Sequence, residues 1–330
     1  MINRRAVLAG SGTLAGMALI PGALAQSKYP ERPIRVVVPT AAGGISELVI
    51  RSWAAQMKGL LGPVFIENQG GGGGAIGATA VARSNPDGYT ILLGSVATHV
   101  HMAAALPYDP VRDFAPISIL VVTALSVVIH PSVPVRTLQE LIDYAKANPD
   151  KLSYGSGGIG SVGHLAGELF KSITGTPGII HVPYKGNGQA LSDVVGGQIS
   201  MTMISVTGQV LDLHRSGQAR MLAVAAPARL VAAPEIPTAI EAGLTGMIAQ
   251  NFLGLFAPAR TPAAIVEQIS NATRTIMADH ALREKLIASG FEPYPDSSPE
   301  AARRFVDAEI VRWAPIIKSI GLKASVQTQP

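Results

Sequence analysis

The chain has 330 residues, with 26 Lys+Arg against 22 Asp+Glu for a formal net charge of +4, and it contains no cysteine. A balance this even, with no run of three basic residues, excludes a nucleic-acid-binding face, and the lack of thiols excludes disulfides and thiolate chemistry. With 48% hydrophobic and only 15% charged residues at this length, the material exceeds one core and predicts two lobes.

Arg4-Arg5 precede an apolar stretch over residues 6–20, and Ala23-Leu24-Ala25 supplies the small-x-small pattern that signal peptidase reads. The stretch is too short and too interrupted by glycine to span a bilayer stably. Residues 1–25 are therefore expected to be a signal peptide cleaved near Ala25, which puts the mature chain, from Gln26, outside the cytoplasm. Loss of Arg4 and Arg5 leaves 24 cations against 22 acids, a net charge of +2. Arg4-Arg5-Ala6-Val7-Leu8 suits the twin-arginine route but lacks its preceding Ser/Thr and its usual Phe, so that route and general secretion both stay open. Beyond the leader no segment has the unbroken apolar length of a membrane helix.

Residues 34–38 read as a buried strand, followed by a loop over 40–44 and a helix over 46–61 with Leu48, Val49, Trp53, Met57 and Leu60 at three-four spacing. A strand at 64–66, a glycine run at 70–74, a helix at 75–83 and a strand at 89–93 continue the alternation of a parallel sheet wrapped by helices. Residues 117–129 are almost continuously apolar and read as a strand pair carrying the crossing into a second lobe. There, Thr137-Leu138-Gln139-Glu140 opens a helix as a capping box, and a strand at 152–154, a loop at 155–160 and a helix at 161–174 follow, with Leu165, Leu169, Phe170 and Ile173 inward. Strands at 179–182 and 221–225 bracket a further helix end and strand over 194–206. Beyond Pro227 the proline-rich stretch reads as the return path. Thr261-Pro262 and Ser298-Pro299 each open a helix with a cap and a first-turn proline. The expected fold is α/β, periplasmic-binding-protein-like, with a mostly parallel sheet flanked by helices in each lobe and a hinge of two crossing strands. Lobe 1 takes residues 26–124 and 227–330, and lobe 2 takes 125–226.

Three loops, at 40–44, 70–74 and 156–161, are glycine-rich turns leading into helices, whose unpaired N–H groups and positive dipole ends bind anions without a charged side chain. Gly72/Gly74/Gly77 and Gly155/Gly157/Gly160 satisfy G-x-G-x-x-G, yet neither is followed by the acid that a ribose needs, and no cofactor is expected. Ser161 could be a hydrolase nucleophile, but Ile159 breaks the G-x-S-x-G pattern, and His164 would share its helix face instead of standing opposite as a base. Ser161 is better read as a helix cap, and no catalytic residue is assigned. His99-x-His101 lacks the carboxylates or cysteines of a metal site, so no metal is expected and loop or pocket-lining histidines are the reading. His130, His181, His214 and His280 look isolated. Lys185, between Tyr184 and Gly186, is the one cation placed near the cleft.

Ordered landmarks run from Tyr29-Pro30 through Val38-Pro39 with Gly43-Gly44, Glu67-Asn68, Pro86-Asp87-Gly88-Tyr89-Thr90 and Leu106-Pro107-Tyr108-Asp109-Pro110. They continue through His181-Val182-Pro183-Tyr184-Lys185-Gly186, Gly196-Gly197-Gln198 and Pro237-Thr238 to Glu241-Ala242-Gly243. In this order and spacing the chain resembles the tripartite tricarboxylate transporter solute-binding proteins, the Bug family of periplasmic receptors, over nearly all of its mature length. The resemblance implies a monomeric receptor, not an enzyme, that closes on a small carboxylate and delivers it to the permease subunits of a tripartite transporter. By position it places the ligand among Thr40, Ala41, Gly43, Gly44, Ser46, Ser95 and Thr98 of lobe 1 and Ser156, Gly157, Gly160, Ser161 and His164 of lobe 2. Tyr184, Lys185 and Ser205 complete the candidate set. Ile204-Ser205 stands where relatives often carry Asp-Asn or Gly-Asn, which makes amino-acid ligands less expected, and Glu47 would repel a second carboxylate unless it turns away. A ligand-sensing receptor for a signalling partner and a hydrolase using Ser161 are the alternatives.

Overall fold

A computed structural model of the chain describes residues 29–40, 42, 45–100 and 106–321. The expected signal peptide, Ala41, Gly43, Gly44 and His101 lie outside the described residues. The first half opens with β1 (Ile34–Val38), α1 (Ile45–Leu60), β2 (Val64–Asn68), a 3-10 turn over Gly72–Gly74, α2 (Ala75–Ala82), β3 (Thr90–Gly94) and α3 (Val96–His99). β1 lies between β2 and β3, parallel to both, as the alternating strand and helix pattern predicts.

β4 (Phe114–Ile129) is one 16-residue strand, where the sequence pattern suggested a strand pair within 117–129. Its apolar run stays unbroken because almost every residue is buried, so no polar turn interrupts it. Then come α4 (Leu138–Ala147), β5 (Ser153–Ser156), α5 (Val162–Thr174), β6 (Ile180–Pro183), α6 (Asn187–Val195), β7 (Met201–Ser205), α7 (Gly208–Arg215) and β8 (Arg220–Val224). The chain returns through β9 (Gln250–Pro258), α8 (Ala263–Met277), α9 (His280–Ala288), β10 (Glu292–Pro293) and α10 (Pro299–Ser319).

The strand order is β2-β1-β3-β9-β4-β7-β5-β6, with β8 and β10 also paired to β4. β4 runs antiparallel to β9 over residues 114–124 and to β7 over residues 125–129, so one strand belongs to two sheets. At the junction Leu125 N–H donates to Ala249 O at 2.9 Å, and Ala225 N–H donates to Leu125 O at 2.7 Å. The outward and return crossings are thus hydrogen-bonded side by side. The result is an α/β, periplasmic-binding-protein-like fold with helices on a mixed sheet.

Side-chain caps start five of the described helices, α4, α5, α7, α9 and α10. Thr137 Oγ1 accepts from Glu140 N–H, and Ser298 Oγ accepts from Ala301 N–H behind Pro299. The expected Thr261 cap is corrected. Helix α8 begins at Ala263 with Pro262 as its cap residue, and the Thr261 hydroxyl, one residue too early, is buried without a partner. Ile173 is also corrected, being 39% exposed, because the inward face of α5 runs through Ala166, Phe170 and Thr174.

Trp53 and Trp313 are fully buried, as their helix spacing predicts. The Trp53 Nε1–H donates to Thr273 Oγ1 at 3.1 Å, joining α1 to α8. Trp53→Ala should therefore cost about 3–5 kcal/mol, measured by urea unfolding. A loss below about 1 kcal/mol would mean that this contact does not hold the two helices together.

Candidate functional site

Two adjoining chambers of about 210 and 710 Å³ open between the halves. From the first half they are walled by Pro39 and Thr40 after β1, Ser46 in the first turn of α1, and Gly70, Gly71, Gly73 and Gly74 before α2. Ser95, Ala97 and Thr98 around α3 belong to the same wall. Opposite stand Gly157, Ser161 and Val162 before and at the start of α5, and Asn187 at the start of α6. Asn251 and Leu253 of β9 and Leu93 of β3 complete the lining.

None of these lining residues is charged. Electrostatics must come from the backbone, and the starts of α1, α2, α5 and α6 all reach the lining. Each start carries unpaired N–H groups and the positive end of a helix dipole, so the cleft favours an anion without a cationic side chain. Ser161 Oγ accepts from His164 N–H at 3.2 Å, which is the helix cap the sequence suggested. Thr98 Oγ1 accepts from Ser95 N–H at 2.9 Å and so ties the α3 turn. A Cβ on Gly157 would sit 2.6 Å from Asn187 Oδ1, so a side chain there would displace that amide from the cleft wall.

Of the residues singled out from the sequence, Thr40, Ser46, Ser95, Thr98, Gly157 and Ser161 come together around this space. Ser156, Gly160 and His164 lie outside both linings, with Ser156 fully buried. Tyr184 gives its hydroxyl proton to Asp193 Oδ2 at 2.6 Å, Lys185 is exposed, and Ser205 is half-buried at the end of β7. None of these three lines either chamber. Glu47 is engaged by Arg51 at 3.0 Å on its own helix. Asn187 and Asn251 were missed. Asn251 follows Gln250 at the head of an otherwise apolar strand, and that pair of amides was the available signal.

A polar cluster holds the loop after β5 in shape. Gly158 N–H donates to Ser156 Oγ at 3.2 Å, and that oxygen lies 2.7 Å from His181 Nε2. Gly160 N–H donates to His164 Nδ1 at 3.1 Å. The two imidazoles stack at 4.3 Å, and His181 stacks on Tyr154 at 4.7 Å. Tyr154 donates to Glu168 Oε1 at 2.7 Å, and Lys171 reaches the same oxygen at 3.0 Å. The reading of His181 as isolated is therefore corrected. Burial lowers the His164 pKa and, with repulsion from His164, lowers that of His181 to about 4. Burial alone would raise Glu168, but the Tyr154 hydroxyl and Lys171 outweigh it and hold the carboxyl below its ordinary range.

With a sheet-spanning cleft lined by neutral donors, the molecule has the form of a solute receptor. Residues 49–322 match the family described as tripartite tricarboxylate transporter family receptor, and the chain belongs to that family, whose members are binding receptors and not enzymes. It is 32% identical over 327 residues to the protein BugT of Bordetella pertussis, covering 98% of this chain and 99% of that one. An R. palustris protein solved with adipate is 33% identical, with a TM-score of 0.78 and coverage of 89% and 98%. MatC from Rhodopseudomonas palustris, with bound malate, is 32% identical, with a TM-score of 0.76 and coverage of 88% and 100%.

The depressed histidines set a pH dependence. His164 and His181 are neutral when folded but take up protons near pH 6.5 when unfolded, so the unfolded chain binds more protons as the pH falls. Stability should be full above about pH 6.5 and decline as the pH falls toward 4. Thermal melts at pH 7, 6, 5 and 4 should show this slope, and His181→Gln should reduce it, leaving the share of His99 and His214, which burial also depresses. An equal slope in the variant would detach the effect from His181.

Proposed function

We propose that this protein is a periplasmic receptor that captures a small organic carboxylate between its two halves and delivers it to the membrane subunits of a tripartite tricarboxylate-type transporter. The observation that carries this reading is an uncharged cleft walled by helix starts from both halves. A desolvated carboxylate is costly unless it is hydrogen-bonded, and charge-assisted bonds from hydroxyls and backbone N–H groups meet that need. Thr40, Ser46 and Ser95 would supply donors from one side, where Thr98 holds the Ser95 turn. Gly157 and Ser161 would supply them from the other, with Ser156, Gly160 and His164 shaping the second loop. The adipate and malate held by the similar receptors support a carboxylate cargo. Among the described residues no acid lines either chamber to pair an amino group, which weighs against amino acids. Lobe 1, residues 26–124 and 227–330, would then close on lobe 2, residues 125–226, about the paired crossings, ligand binding shifting the population toward the closed form. The leader is removed near Ala25, and the receptor acts as a monomer.

Calorimetric titration of the chain from Gln26 against adipate, malate, citrate and amino acids should give saturable binding for one carboxylate class and none for amino acids. Failure of every carboxylate, after denaturation and refolding to remove co-purified ligand, would overturn the reading. Gly157→Val should weaken the binding by more than about tenfold while the fold is kept, the size expected when a close backbone approach is blocked. Unchanged affinity would remove that loop from the site.

A further inference from the structure

We infer that His99 is a positioning residue for the cleft wall, its imidazole tying the Ser95–Thr98 turn to one buried water beside α10. The inference rests on the reading of the Ser95–Thr98 turn as part of the ligand-binding wall. His99 ends α3 and is 1% exposed. Its Nδ1 lies 2.9 Å from Thr98 Oγ1. That oxygen accepts from Ser95 N–H at 2.9 Å and donates to Ser95 O at 3.1 Å. Both Ser95 and Thr98 face the cleft, so the ring stands one hydrogen bond behind it.

The hydroxyl proton of Thr98 goes to Ser95 O, so the proton between Thr98 and the ring belongs to His99 Nδ1. Burial lowers the imidazole pKa to about 3, which keeps the ring neutral and makes Nε2 an acceptor. Nε2 is buried and has no protein partner. His99 lines a cavity of about 10 Å³ together with Val111, Phe114, Phe256 and, on α10, Arg303 and Asp307. This is the volume of about one water, and Arg303 and Asp307, both exposed, stand at its rim. The ring is clamped as well. It stacks on Phe256 with centroids 3.8 Å apart, and a Cβ on Gly94 would fall 2.4 Å from His99 Cε1. A side chain held this firmly, with Nδ1 against Thr98 Oγ1, fixes the Ser95–Thr98 turn at the cleft wall.

The test uses nitrogen-15 NMR of the ligand-free protein, followed by titration of adipate and malate into His99→Phe and His99→Asn. We expect the Nδ1–H tautomer, with Nε2 accepting from a water, and a shift of the Ser95 and Thr98 amide resonances in His99→Phe. Affinity should fall about fivefold to twentyfold in His99→Phe, the size of one hydrogen bond, and return to within about twofold in His99→Asn, whose amide N–H replaces the Nδ1 donor. An Nε2–H tautomer, or unmoved Ser95 and Thr98 resonances in His99→Phe, would overturn the inference. The spectra need no ligand, so a protein that binds neither adipate nor malate refutes the carboxylate reading while this one is decided separately. If His99→Phe does not fold, the wild-type tautomer decides alone.

Discussion

Everything else in the structure depends on the sharing of β4 by two sheets. Residues 114–124 of that strand pair with β9, and residues 125–129 pair with β7 and β8, so one backbone carries both halves. Because the strand is buried almost throughout, its hydrogen bonds and side chains are protected from water and the two sheets keep a common axis. The loops that follow β1 and β3 on one side and β5 on the other are brought to the same space by this one element. These are the carboxyl ends of parallel strands, where open α/β sheets characteristically hold ligands.

The site then follows from helix geometry more than from side-chain charge. Four helices of eight or more residues begin at the cleft, and none of the lining residues is charged. Such a wall favours an anion in general but leaves distinction among anions to shape and to a few hydroxyls and amides. Behind the second-half wall, the stacked His164 and His181 hold a glycine-rich loop in place. Glycine gives the backbone close approach but no rigidity of its own. His164 Nδ1 supplies a fixed acceptor for Gly160 N–H, and His181 holds the Ser156 hydroxyl that binds Gly158.

Much of this was legible in the sequence. Alternation of short strands, glycine loops and amphipathic helices marked β1 to α2 and β5 to α5 nearly to the residue. β1 is a buried apolar run, while β2 and β5 were marked by the glycine loops that follow them. The glycine loops pointed to the right end of each strand. What the sequence hid was long-range. Nothing local says that residues 117–129 are one strand with four partners, or that β9 inserts between β3 and β4. Asn187 and Asn251 carry no motif, and their place in the cleft appears only when α6 and β9 are packed. His181 looked isolated because its partners Ser156 and His164 stand 25 and 17 positions away and meet it only across β5 and α5.

The central claim is that both halves hold one carboxylate through uncharged donors. The most direct measurement is a crystal structure of the chain grown with whichever of adipate or malate binds. The account predicts a carboxylate group between Thr40, Ser46 or Ser95 on one side and Gly157 or Ser161 on the other, within hydrogen-bond distance of both. A ligand held by one half alone, or paired with an arginine or lysine outside the cleft, would contradict it.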